Sequence, residues 1–194
     1  MSTRMVLLGP PGAGKGTQAA RISERLSIPA ISTGDIFRFN VAGGTPLGAQ
    51  AKAYMDKGEY VPDSITNAMV AGRLAQEDCA TGFLLDGYPR TEAQVGELDT
   101  MLAQSGKALD VVVEITADVD AVVARLLKRA DEQGRTDDTE PVIRRRLEVY
   151  AEQTEPLAAI YEARGLLVRV DGVGGVEEVT ERIMTALASR SANA

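Results

Sequence analysis

The residues best equipped for chemistry begin with Gly9-Pro10-Pro11-Gly12-Ala13-Gly14-Lys15-Gly16-Thr17. Glycines at this density let the backbone turn tightly enough for consecutive N–H groups to converge on phosphate oxygens, aided by the positive end of a helix that starts there. Lys15 can then reach outer phosphates, and Thr17 supplies the hydroxyl that the general phosphate-loop signature places directly after its lysine, displaced here by Gly16. Further along, Ser32-Thr33-Gly34-Asp35 sets hydroxyls and backbone donors at a strand end and helix start, with Arg38 one helical turn after Gly34. Asp86 closes the apolar run Phe83-Leu84-Leu85. A carboxylate there suits Mg²⁺, which keeps several waters and leans on phosphate oxygens, so the contact is expected to pass through water. Between Arg125 and Arg146 lie Arg125, Arg129, Arg135, Arg144, Arg145 and Arg146. Fixed guanidinium forks of this kind match the charge spread over phosphoryl oxygens.

Composition closes other routes. Histidine is absent, which removes any imidazole base, histidine-activated nucleophile or histidine metal ligand. Cys79 is the single cysteine, so neither an intrachain disulfide nor a cysteine-based zinc site can form, and a reducing compartment is expected. Cys79 and the six methionines read as core or incidental residues, outside any cationic or metal-like setting. The net charge of −7 over 194 residues has the wrong sign for a general nucleic-acid binder, although a local cluster of cations can still hold a small polyanion. The apolar run from Met1 to Gly9 is too short for a signal-peptide core or a membrane span. Cytoplasmic residence, without membrane or nucleic-acid partners, is the expectation.

These residues must be carried by a repeating scaffold. Short β-rich apolar runs alternate with longer helical-period segments, which predicts an α/β fold around a mostly parallel sheet. Strands are expected at Met5 to Gly9, Ile28 to Ser32, Gly82 to Asp86, Leu109 to Ile115 and Leu166 to Val170, several apolar throughout and therefore covered on both faces. Helices are expected at Lys15 to Leu26, around Asp35 to Asn40, and at Leu47 to Lys57, Asp63 to Gln76 and Glu92 to Gln104. Three more follow at Val119 to Arg129, Val142 to Arg164 and Val176 to Leu187, with Pro156 expected to kink or split the second of these. Thr139-Glu140-Pro141 reads as a helix start, and residues 188–194 as a fraying end. No composition break marks a linker, so residues 1–194 read as one domain.

The loop at Gly9 to Thr17 resembles that of the adenylate kinases and their nucleoside-monophosphate kinase relatives, which reads Gly-x-Pro-Gly-x-Gly-Lys-Gly-Thr. Further segments match in order: Ser32-Thr33-Gly34-Asp35-Ile36-Phe37-Arg38, Asp86-Gly87-Tyr88-Pro89-Arg90 with Gln94, Gly134-Arg135-Thr136-Asp137-Asp138, and Arg146. The resemblance spans nearly the whole chain. It implies a P-loop three-layer fold with a five-stranded parallel sheet flanked by helices, and a monomer that reversibly transfers the terminal phosphoryl group of ATP to AMP, with Mg²⁺ and without zinc. By the same resemblance, Lys15, Arg90, Arg129, Arg135 and Arg146 are the catalytic cations. Gly12, Ala13, Gly14, Lys15, Gly16, Thr17, Arg125, Arg129 and the backbone of Gly174 belong to ATP. Thr33, Arg38, Glu59, Tyr60, Val61, Gly87, Tyr88, Pro89, Arg90, Gln94, Arg135 and Arg146 belong to AMP, with Gln94 reading the adenine edge. Thr17 joins Asp86 at the metal.

Two mobile pieces are implied, an AMP-binding flap at about 32–61 and a lid at about 128–138. Only five residues separate Arg129 from Arg135, so the lid is expected to be a short loop, with Asp137 and Asp138 either holding lid arginines or complementing a helix dipole. Its closure should exclude water. Arg144 and Arg145 read as solvated surface. Two alternatives stay open. Relatives acting on UMP or CMP tend to lack the threonine present here as Thr33. A nucleotide switch lacks a use for the arginine-rich segment, and no Asn-Lys-x-Asp guanine-reading motif is present.

Overall fold

The computed structural model describes residues 3–133 and 139–192. Its strands are β1 (Arg4–Leu8), β2 (Ala30–Ser32), β3 (Phe83–Asp86), β4 (Val111–Thr116) and β5 (Leu167–Asp171). They form one parallel sheet in the order β2-β3-β1-β4-β5, with β1 in the middle. The helices are α1 (Lys15–Leu26), α2 (Thr33–Ala42), α3 (Pro46–Met55), α4 (Asp63–Leu74), α5 (Glu92–Gln104), α6 (Val119–Gln133), α7 (Glu140–Val149), α8 (Leu157–Ala163) and α9 (Val176–Ala192).

Strand side chains alternate between faces, and here both faces are apolar. Val6 and Leu8 of β1, with Phe83 and Leu85 of β3, pack against Val70 of α4, Val95 and Leu98 of α5, and Leu157 and Tyr161 of α8. Met5 and Leu7, with Leu84 and Val113, pack against Ala19 and Ile22 of α1 and Val179 and Ile183 of α9. The result is the expected three-layer α/β fold. At roughly 1.5–3 kcal/mol for each large apolar side chain buried, these two cores dominate what holds the sheet in place.

The ends of elements shift for local reasons. β1 stops at Leu8 because Gly9 takes φ +145, where a Cβ would stand 2.5 Å from the Ile115 carbonyl oxygen. β2 begins late because Ile28 still serves the end of α1: Ser27 is left-handed, and the Ile28 N–H donates to the Ser23 carbonyl at 3.1 Å. α9 runs on to Ala192, so the fraying expected from residue 188 does not begin there. Alanines and serines are adequate helix formers, and Arg190 complements the negative helix end. α6 continues to Gln133, so Lys128 to Gln133 are helical. Thr139 occupies the cap position of α7 in extended conformation, but its side chain makes no capping hydrogen bond.

The long helix expected from Val142 to Arg164 is divided by Pro156. Lacking an N–H, proline cannot bond to the preceding turn. The chain answers with a π-helical turn at Tyr150–Thr154, in which the Glu155 N–H donates to the Tyr150 carbonyl at 2.9 Å, and α8 begins after the proline.

α2 and α3 form a tight hairpin through Gly43-Gly44-Thr45. Thr45 caps α3 by accepting from the Gly48 N–H at 3.0 Å and donating to the Asn40 side-chain oxygen at 2.8 Å. A Cβ on Gly48 would stand 2.1 Å from the Asn40 carbonyl oxygen and 2.6 Å from the Val41 nitrogen. Backbone on both sides cannot yield as a side-chain tip does. Gly48→Ala is therefore expected to destabilise the protein by about 2–3 kcal/mol, lowering the midpoint of thermal unfolding by roughly 5–10 °C; a melting curve that coincides with wild type would refute the close packing.

Cys79 departs from its expected setting. The Arg73 guanidinium donates to its sulfur at 3.0 Å, so it does have a cationic neighbour. Burial outweighs that neighbour and pushes the thiol up from its ordinary value, which keeps Cys79 a protonated core residue.

Candidate active site

The parallel register places the ends of β1, β2 and β3 side by side, with Leu7 opposite Asp86 and Asp86 opposite Ser32. Open α/β sheets bind ligands at this edge. A cleft of about 560 Å³ lies there, lined by the Gly9 to Thr17 loop, the start of α2, the segment 58–61, residues after β3, and parts of α6 and α7. Its walls carry Lys15, Arg38, Arg90, Arg125 and Arg146 against Asp35, Glu59 and Asp86. In a chain of net charge −7, a cleft with more basic than acidic residues is built for a polyanion.

On the first side, Gly12 and Gly14 hold φ +83 and +92, conformations that favour glycine. Gly14 caps α1, and the first bond back to it comes from the Gln18 N–H at 3.0 Å. The N–H groups of Lys15, Gly16 and Thr17 thus point out of the helix end with its positive dipole. The Lys15 ammonium lies over the loop, donating to the carbonyls of Gly9 at 2.7 Å and Pro10 at 3.0 Å. A Cβ on Gly12 would come within 2.9 Å of Leu126, so α6 seats directly on the loop. Asp86 faces the same helix end, 3.7 Å from where a Gly16 Cβ would be.

On the second side, Ser32 caps α2 through the Asp35 N–H at 3.2 Å, and the Arg38 guanidinium donates to Asp35 at 2.5 Å. Thr33 is 1% exposed and donates its hydroxyl to the Gly87 carbonyl at 2.9 Å. The same carbonyl accepts from Arg90 Nε at 2.7 Å, and the Arg90 guanidinium stacks 5.0 Å above the Tyr60 ring. Gly87 has φ +83, and a Cβ there would lie 2.7 Å from the Thr33 hydroxyl and 2.9 Å from Arg90. Only glycine lets Thr33, Gly87 and Arg90 meet. Gln94, 2% exposed, accepts from the Arg90 backbone N–H at 2.7 Å.

Residues 7–166 match the family model described as adenylate kinase. The chain belongs to the adenylate kinase family. Among similar curated proteins, an adenylate kinase of Kocuria rhizophila is 65% identical over 185 residues, which cover 95% of this chain and 98% of that protein. One from Thermobifida fusca is 60% identical over 188 residues, covering 97% and 100%. One from Pseudarthrobacter chlorophenolicus is 60% identical over 190 residues, covering 98% and 99%. Family membership makes the chain an enzyme of the nucleoside-monophosphate kinase class.

Of the residues expected around the two adenylate kinase substrates, the cleft brings together Gly12, Gly14, Lys15, Gly16, Thr17, Arg125, Thr33, Arg38, Glu59, Tyr60, Val61, Asp86, Gly87, Pro89, Arg90, Gln94 and Arg146. Among the fully described residues expected there, three are not on its walls. Tyr88 is 0% exposed, donates to the Asn67 side chain at 2.9 Å and packs in the core beneath α4 and α5; burial pushes its phenol up. A tyrosine between Gly87 and Pro89 faces the opposite way from its neighbours, and its apolar ring goes inward. Ala13 is buried against the α1 and α9 core. Gly174 sits on the β5–α9 loop at φ +125, beside Glu178 and Arg182. Arg129 lies on α6. Its side chain, like Arg135, Asp137 and Asp138, falls outside the described residues.

Other wall residues gave little signal in the chain. Thr154 is buried in the π-helical turn, where its hydroxyl donates to the Arg90 carbonyl at 2.8 Å and meets the Tyr60 hydroxyl at 2.6 Å. Tyr150 joins it at the wall, and burial pushes its phenol up. A polar residue two positions before an intrahelical proline was the available clue. Arg145 is more than solvated surface: its Nε donates to Glu59 at 2.7 Å, 86 positions away, and its Nη1 to Glu148 at 3.2 Å. Arg144 pairs with Glu140 at 2.7 Å on the exposed face of α7, as the sequence suggested.

Proposed function

We propose that this cleft carries out the reversible reaction ATP + AMP giving two ADP, with ATP phosphates on the Gly9 to Thr17 loop and AMP between α2, the 58–61 segment and the residues after β3. The observation that carries this reading is the pairing, in one cleft, of a phosphate-binding helix end with a second pocket built from Thr33, Arg38, Gly87, Arg90 and Gln94. Lys15 draws the outer ATP phosphates toward AMP. Arg90 and Arg146, with Arg129 and Arg135, stabilise the charge that develops on the transferred group; no side-chain nucleophile is needed. Arg38 holds the AMP phosphate, Thr33 and Val61 the base, and Arg125 the adenine face of ATP, with the Gly174 backbone beside it.

Mg²⁺ fits the residues present. Asp86 and Thr17 offer hard oxygen donors beside the same helix end; Thr17 would hold the ion with its hydroxyl and Asp86 would hold it through water. When bound, the ion offsets phosphate charge and orients the oxygens.

The proposed flap at about 32–61 is built around a small core of Phe37, Ala51 and Val61 with Leu47 and Met55, which rests on Ile65 and Met69 of α4. Another, Val122, Leu126 and Ile143, joins α6 to α7, the two helices between which the proposed lid at about 128–138 falls in the sequence. The single five-stranded sheet supports the single-domain reading over 1–194. A cytoplasmic monomer completes the proposal; the single cysteine, buried and free, suits a reducing compartment.

A coupled assay with AMP, UMP, CMP and GMP as acceptors tests the assignment. AMP is expected to give the highest kcat/KM. A pyrimidine monophosphate turned over more efficiently than AMP would overturn it.

A further inference from the structure

Gln94 is a primary amide whose two ends are chemically opposite: Oε1 only accepts hydrogen bonds and Nε2 only donates them. Turned over, the same side chain would present the reverse pattern to a ligand. Two neighbours decide its orientation. The Arg90 backbone N–H can only donate, and it meets Oε1 at 2.7 Å. The Asp63 carboxylate only accepts, and its Oδ1 takes a hydrogen bond from Gln94 Nε2 at 2.7 Å. Asp63 is itself held, because its Oδ2 accepts from the Thr91 hydroxyl at 3.1 Å while that hydroxyl accepts from the Gln94 backbone N–H at 3.2 Å. Carboxylate, hydroxyl and amide form a closed set joining the first turns of α4 and α5.

We propose that Asp63 is a positioning residue that sets the base selectivity of the monophosphate pocket by fixing which way the Gln94 amide faces. The inference rests on the reading that Gln94 contacts the base. Each end of the amide retains capacity beyond its protein bond: a second lone pair on Oε1 and a second proton on Nε2. Adenine presents an amino donor beside a ring acceptor, which this orientation can match with one bond in each direction. Guanine in the same pose presents a carbonyl acceptor beside a ring N–H donor, the reverse order. Matching guanine requires the amide to turn over. That sets its oxygen against the Asp63 carboxylate and its NH₂ against the Arg90 N–H, so both protein bonds become repulsive contacts. A buried polar group deprived of its partner in this way is a strong basis for discrimination.

Asp63→Asn keeps the shape of the side chain but can face Gln94 with either a carbonyl or an NH₂ group, so the turned amide is no longer opposed on that side. The experiment measures kcat/KM for AMP and for GMP in wild type, Asp63→Asn and Gln94→Leu, with thermal unfolding of each. The expected result is that the AMP-to-GMP ratio falls about tenfold in Asp63→Asn and falls at least as far in Gln94→Leu. A general weakening of the pocket would lower both substrates together and leave the ratio alone, so an unchanged ratio in Asp63→Asn overturns the proposal whatever happens to the absolute rates. If the ratio collapses in Gln94→Leu but holds in Asp63→Asn, Gln94 reads the base and Asp63 does not direct it. If it holds in both, the base-reading role of Gln94 fails and this inference with it. A fall in Asp63→Asn alone also overturns the proposal, because the effect then bypasses Gln94.

Discussion

Replacing Lys15 with alanine is expected to lower kcat for ADP formation by about 10³-fold, while the unfolding midpoint moves by no more than about 3 °C. The asymmetry follows from where the ammonium sits. Its bonds to the Gly9 and Pro10 carbonyls lie at the half-exposed mouth of the cleft, so water can replace them and little stability is lost. The loop shape is carried elsewhere, by the positive φ of Gly12 and Gly14 and by Leu126 beneath it. What alanine cannot replace is a mobile point charge that can exchange two carbonyl partners for phosphate oxygens. In the proposed role that charge acts on the group as it moves, so the loss should appear in kcat more than in KM for ATP. Steady-state rates with both nucleotides near saturation check this, and a rate within tenfold of wild type would remove Lys15 from the catalytic set.

Arg90→Ala is expected to cost about 10²–10³-fold in kcat/KM for AMP. The backbone at this position is held independently of the side chain: the Arg90 carbonyl accepts from Thr154, and its N–H donates to Gln94. The substitution therefore isolates the guanidinium. That group is aimed by two contacts, Nε to the Gly87 carbonyl at 2.7 Å and the Tyr60 ring at 5.0 Å, and the residue lines the cleft. Arg90→Lys keeps the charge but neither the planar face nor the Nε–H, so it should recover only part of the loss. Full activity in Arg90→Lys would show that charge alone suffices, and full activity in Arg90→Ala would remove the residue from the mechanism.

Much of this was legible along the chain because it depends on local requirements. A loop that must pass through positive φ beside phosphate needs glycine, and a strand covered on both faces needs an unbroken apolar run; both leave marks within ten residues. Counting alone excluded imidazole chemistry and an intrachain disulfide. The resemblance at Gly9 to Thr17, Ser32 to Arg38 and Asp86 to Arg90 then supplied the substrate pair, and the parallel register brought those three segments to one edge.

Contacts between distant segments were decided only by folding. Burial of Tyr88, the reach of Arg145 to Glu59, the inward turn of Thr154 onto the Arg90 carbonyl and the hold of Asp63 on Gln94 each depend on the packing of helices against a shared sheet. An arginine or threonine reads the same in sequence whether water or a partner 64 or 86 positions away satisfies it. Hydrogen-bonding capacity belongs to the residue type, whereas the identity of the partner belongs to the three-dimensional path of the backbone.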